Sequence, residues 1–109
     1  MKKLFTLLLI TLLAFAFKSA AQNNPNCNLL AKFSFERDPS QPNKIRFINL
    51  STPAADIHSV KWSFGDGTYS DDFNASHVYA TSGVYKVCLI VKKDNSCQRD
   101  VCINVQVQA

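Results

Sequence analysis

Glutamate occurs once in these 109 residues, at Glu36, and histidine only twice, at His58 and His77. Glycine appears three times, methionine and tryptophan once each. These shortages exclude chemistry. A glycosidase needs a matched pair of carboxyl groups, and here the second would have to come from an aspartate in a turn or loop. No G-x-S-x-G elbow and no H-E-x-x-H pair occurs. A serine nucleophile needs an oriented histidine within hydrogen-bond reach, and nothing in the spacing supplies one. An enzyme is not expected, and no cofactor is implied. Beyond residue 21 no apolar run approaches the roughly 20 residues a bilayer-spanning helix requires. Sustained helical periodicity, internal repeats and low-complexity tracts are also missing.

What is present begins with a leader. Lys2 and Lys3 precede a 14-residue stretch, 4–17, that is apolar but for Thr6 and Thr11, and Ser19-Ala20-Ala21 then offers small residues where a signal peptidase reads. That order describes a secretory signal peptide over residues 1–21, and the apolar run is short for a membrane anchor. Asn24-Pro25-Asn26 before Cys27 does not suit lipidation. The expected destination is the periplasm, the cell surface or the medium. The chain carries 12 basic and 8 acidic residues. Removing Lys2, Lys3 and Lys18 with the leader leaves 9 against 8, a balance of +1. The overall basicity therefore argues for neither a nucleic acid nor an acidic partner.

The four cysteines, Cys27, Cys88, Cys97 and Cys102, are separated by 60, 8 and 4 residues. An even count in a small exported chain reads as two disulfides. Structural zinc favours close pairs such as C-x2-C, so no metal site is expected.

Residues 22–28 are polar and read as a flexible lead-in to a single domain over 29–109. From there the chain alternates with period two, the mark of half-buried strands. Phe33 and Phe35 oppose Lys32 and Ser34. Ile45 and Phe47 oppose Lys44 and Arg46. Val60, Trp62 and Phe64 oppose Lys61 and Ser63. Tyr85, Val87, Leu89 and Val91 oppose Lys86, Cys88 and Lys92, with Ile90 an exception. Val101, Ile103, Val105 and Val107 oppose Cys102, Asn104 and Gln106. Residues 37–43, with two prolines, read as a turn, and 69–76 as irregular. Six or seven short strands with turns every 8 to 12 residues indicate an all-β sandwich.

Within this pattern Trp62-Ser63-Phe64-Gly65-Asp66-Gly67-Thr68 resembles the W-x-F-G-D-G-T signature of the PKD family. His77-Val78-Tyr79 resembles its H-x-Y strand, Gly83-Val84-Tyr85-Lys86-Val87 its G-x-Y-x-V, and Phe47-Ile48-Asn49 its F-x-N. The motifs follow in order along essentially the whole mature chain. The resemblance implies an Ig-like sandwich of about seven strands, used on secreted and surface proteins as an adhesion, binding or spacer module. Trp62, in phase with Val60 and Phe64, reads as a core residue, as do Tyr79 and Tyr85, and Asp66 between its glycines reads as stabilising its own turn. In such a fold Cys88 and Cys102 face each other across a hairpin, leaving Cys27 to pair with Cys97 at one end of the sandwich.

The residues left for binding lie at loop ends. Tyr69 and Phe73 are candidate exposed aromatics beside Asp71 and Asp72. Lys92, Lys93 and Arg99 flank the last turn and suggest a basic tip. The expected partner is an extracellular protein or glycan, met by a monomer. The alternative is a small envelope or matrix protein that self-associates through a sheet edge. Two stretches, Asn49-Leu50-Ser51 and Asn74-Ala75-Ser76, match the N-glycosylation pattern and are read as coincidence.

Overall fold

A computed structural model describes residues 26–108. The expected signal peptide and the start of the lead-in lie outside the described residues.

Seven strands follow in order: β1 (Phe33–Asp38), β2 (Gln41–Asn49), β3 (Ser59–Ser63), β4 (Tyr69–Ser70), β5 (Ala75–Val78), β6 (Gly83–Asp94) and β7 (Cys97–Val107). A single 3-10 turn, Ala54–Asp56, joins β2 to β3. The strands form two sheets, β1-β2-β5 and β4-β3-β6-β7, antiparallel throughout. This is the expected two-sheet sandwich.

Alternation decides which face of each strand is dry. Ile45 and Phe47 from one sheet meet Trp62, Val87, Leu89, Val91, Val105 and Val107 from the other, and all are essentially inaccessible. Phe33 stands edge-on to Trp62 at 5.1 Å between ring centroids, and Phe47 lies 5.5 Å from the same indole. Tilted and edge-to-face aromatic pairs add to burial without the repulsion of stacked faces.

Two sequence expectations are corrected. The first hairpin is much tighter than a seven-residue turn, because β1 runs to Asp38 and β2 starts at Gln41. The Asp38 carboxylate accepts both the amide and the hydroxyl of Ser40, at 2.9 and 2.7 Å, which closes a two-residue turn. Pro42 fits inside β2 because the register shifts there, so that residues 42–44 have no partner on β1. A proline without an amide proton is tolerated at such a break. The second correction concerns 69–76, which contains β4 and the start of β5. Ala75 is the one apolar residue at the end of that polar run, and it is buried opposite Phe47.

The same Asp-x-Ser/Thr device closes three turns. Asp38 holds Ser40, Asp66 holds Thr68, and Asp94 holds Ser96, each by amide and hydroxyl together. Aspartate favours this local bonding over ladder pairing. Two disulfides complete the frame. Cys27–Cys97 joins the chain ahead of β1 to the start of β7, and both sulfurs are buried. Cys88–Cys102 crosses between β6 and β7 on the outer face.

Candidate functional site

The W-x-F-G-D-G-T run is tied to the strands and turns that follow it by hydrogen bonds from side chain and backbone. Trp62 Nε1 donates to the Asp72 carbonyl at 2.9 Å. The Phe64 carbonyl accepts the Tyr79 hydroxyl at 2.8 Å. Burial, with Asp66 and Tyr85 nearby, pushes that phenol well above the ordinary tyrosine range. Tyr85 donates to the Thr81 carbonyl at 2.7 Å, and Gly83 lies against its ring. Gly65 and Gly67 take φ of +85° and +88°, a conformation open to glycine and costly for other residues. At Gly65 there is a second constraint, since a Cβ would fall 2.7 Å from the Lys86 carbonyl oxygen.

Asp66 is the centre of this cluster. One carboxylate oxygen accepts the Thr68 amide and hydroxyl. The other meets His77 Nε2 at 2.7 Å. Burial opposes the charge, but the hydrogen bonds from Thr68 and His77 outweigh it and hold the carboxyl below its ordinary value. The His77 ring stacks on Phe64 at 4.3 Å, nearly parallel, and stands edge-on to Tyr79 at 4.6 Å. Aspartate, histidine and a hydroxyl suggest a relay, yet the wiring differs from one. Both Asp66 and Thr68 approach the same nitrogen, Nε2. A relay uses one ring nitrogen for the orienting carboxylate and the other for the nucleophile. The cluster pins β5 to the turn after β3.

A different place is open. Across the outer face of the four-stranded sheet lies a groove of ≈ 600 Å³. The antiparallel register sets its layout. Tyr69 of β4 faces Ser63 of β3, Lys61 of β3 faces Ile90 of β6, and Lys92 of β6 faces both Ser59 and Gln98. Tyr69, Lys61, Lys92 and Gln98 therefore run diagonally over all four strands, with Ile90 beside them. Tyr69 is 62% exposed and presents its ring to the groove. Lys61 Nζ sits 4.7 Å from the centre of that ring, a cation–π contact that fixes both groups. Asp71 and Ser70 complete the β4 end.

The candidate binding residues therefore separate. Tyr69 and Lys92 share the groove. Phe73 lies outside it, partly exposed, between Asp72, which accepts from Trp62, and Asn74, which accepts the Asn49 amide at 2.8 Å. Lys93 pairs with Asp56 at 3.7 Å. Arg99 donates to the carbonyls of Cys27 and Gln98, both at 3.0 Å. Lys61, Ile90 and Gln98 were not singled out from the sequence. The available signal was the break in the β6 alternation, which puts an apolar Ile90 among outward-facing lysines. Of the two glycosylation patterns, the first is closed, because Asn49 Nδ2 is buried in the folded chain.

The fold and its bonded core define an Ig-like two-sheet sandwich in which an outer face, not the motif, is available to a partner. The PKD domain family matches residues 23–108, and the chain belongs to that family. Collagenase ColQ1 of Bacillus cereus (strain Q1) is 55% identical over 38 residues, which are 35% of this chain and 4% of the collagenase. The chain thus spans a small fraction of that relative's length. Among solved structures, the PKD1 domain of Vibrio anguillarum Epp superposes with a TM-score of 0.66 at 26% identity, covering 73% of this chain and 93% of that one. A structure described as showing the promiscuous specificity of carbohydrate-binding modules from the β-sandwich superfamily gives 0.67 at 25% identity, covering 79% of this chain and 36% of that one.

Proposed function

We propose that this PKD domain is a non-catalytic module of an exported protein and binds carbohydrate in the groove across β4, β3, β6 and β7. The observation that carries this reading is the Tyr69 ring, exposed on a rigid sheet and braced by Lys61 beside the apolar Ile90. An aromatic face presents an apolar platform, and a pyranose ring offers it a patch of C–H groups. Ser59, Ser70, Asp71 and Gln98 surround that platform with donors and acceptors for hydroxyls. The similarity to a carbohydrate-binding module supports the same use. Export is supported by the leader and by two disulfides, which persist in oxidising compartments. Among the described residues no helix is long and apolar enough to cross a membrane.

Affinity electrophoresis in gels containing soluble polysaccharides tests the reading. Migration of the oxidised protein is expected to be retarded by at least one polymer. Tyr69→Ala is expected to abolish the retardation, while Phe73→Ala leaves it intact. Retardation that survives Tyr69→Ala, or none on any polymer, would contradict the proposal.

A further inference from the structure

The groove carries two lysine side chains. Lys61 and Lys92 are absent from the ion pairs of the described residues, which join Arg46 to Glu36, His77 to Asp66 and Lys93 to Asp56. Lys61 faces Ile90, and Lys92 lies two residues further along the same strand. That makes the two lysines diagonal neighbours on adjacent strands, with backbones roughly 7–8 Å apart. The basic neighbours elsewhere are handled differently, since Lys93 has an acid and Arg99 spends its guanidinium on carbonyls. One acid, Asp71, lines the groove at its β4 end beside Tyr69, and Asp100 of β7 stands opposite Ile90 just outside the lining; neither forms an ion pair with Lys61 or Lys92.

From this we infer that the ligand is an acidic polysaccharide, whose carboxylate or sulfate groups sit between Lys61 and Lys92 while a neighbouring sugar stacks on Tyr69. The mature chain is close to neutral overall, so attraction to a polyanion depends on this pair rather than on net charge. An anionic group placed between them gains charge-assisted hydrogen bonds. The diagonal from Tyr69 to Gln98 crosses four strands about 4.8 Å apart, a length that takes more than one sugar of a linear chain. The inference rests on the proposed carbohydrate reading of the same groove.

Polygalacturonate and its methyl ester share one backbone and differ in charge, and dextran sulfate against dextran makes the matching sulfate pair. Binding of the oxidised protein to all four is measured by isothermal titration at low and high salt. The expected result is binding to at least one acidic polymer, tenfold or more weaker binding to its neutral counterpart, and weakening with salt. The double variant Lys61→Gln, Lys92→Gln is expected to lose about tenfold in affinity for the acidic polymer, the loss of a charge-assisted contact. Circular dichroism controls for folding. The two acidic polymers tell a carboxylate preference from a sulfate one. Equal binding to charged and neutral members, or an unchanged affinity in the lysine variant, would overturn the acidic ligand while leaving the carbohydrate reading in place. A Tyr69→Ala variant that binds as the wild type does would overturn the carbohydrate reading itself.

Discussion

At the scale of single residues, the two glycines of the Gly65-Asp66-Gly67 turn have the same φ but different surroundings. A Cβ on Gly67 would meet nothing within 4 Å, whereas one on Gly65 would strike the backbone of Lys86. Gly67→Ala is therefore expected to cost about 1–2 kcal/mol, the strain of a left-handed alanine. Gly65→Ala is expected to cost clearly more, because a backbone atom cannot move aside as a flexible side chain does. Urea unfolding of both variants checks the order, and equal losses would contradict it. Asp66 makes a pH prediction. Its carboxyl is held below the ordinary value of 3.8 by Thr68 and His77 against the opposing cost of burial. A depressed folded pKa means that the stabilisation is complete above the unfolded value and is lost as pH falls through the folded one. Stability should thus decline below about pH 4, and Asp66→Asn should reduce that acid dependence while lowering stability at neutral pH by about 1–3 kcal/mol. Urea titrations from pH 6 to pH 3 would show both effects. An acid slope unchanged in Asp66→Asn would be evidence against this assignment.

At the scale of elements, the disulfides differ by the length of chain they close. Cys27–Cys97 closes a separation of 70 residues and Cys88–Cys102 one of 14. Loop entropy then gives about 4 kcal/mol for the first and about 3 kcal/mol for the second. The first also connects the chain ahead of β1 to β7, so its loss frees a segment as well as a loop. Replacing Cys27 and Cys97 by serine is expected to lower the melting temperature more than replacing Cys88 and Cys102. The reverse order would contradict the account. The strands themselves were legible because a half-buried strand must alternate, and β3, β6 and β7 do so almost without exception. The first hairpin and β4 were not legible. Proline and polar residues dominate those stretches, and what makes them strands is a cross-strand partner elsewhere in the chain. Ser70 opposite Trp62 and Gln41 opposite Asp38 show this. The groove was half legible for the same reason. An exposed tyrosine can be read from its polar neighbours, but its proximity to Lys61 and Lys92 depends on the register of three strands.

At the scale of the whole molecule, the sandwich separates its two tasks. The inner faces and the motif cluster hold the sheets together, and the groove proposed for binding lies on one outer face. Two of the four edge strands are tied to each other, since Arg37 of β1 donates to the Gln106 carbonyl of β7. That contact occupies a group through which a second copy could extend the sheet. The domain is expected to sediment as a monomer, and a concentration-dependent mass would favour a self-associating matrix protein instead. The central claim is that the outer face of β4-β3-β6-β7, and not a loop tip, takes the ligand. The most direct measurement is an NMR titration of the labelled, oxidised domain with oligosaccharides cut from the best-binding polymer. Amide shifts concentrated at Lys61, Tyr69, Ile90, Lys92 and Gln98 are predicted. Shifts confined to Lys93, Asn95 and Ser96, or to the residues around Phe73, would contradict the claim.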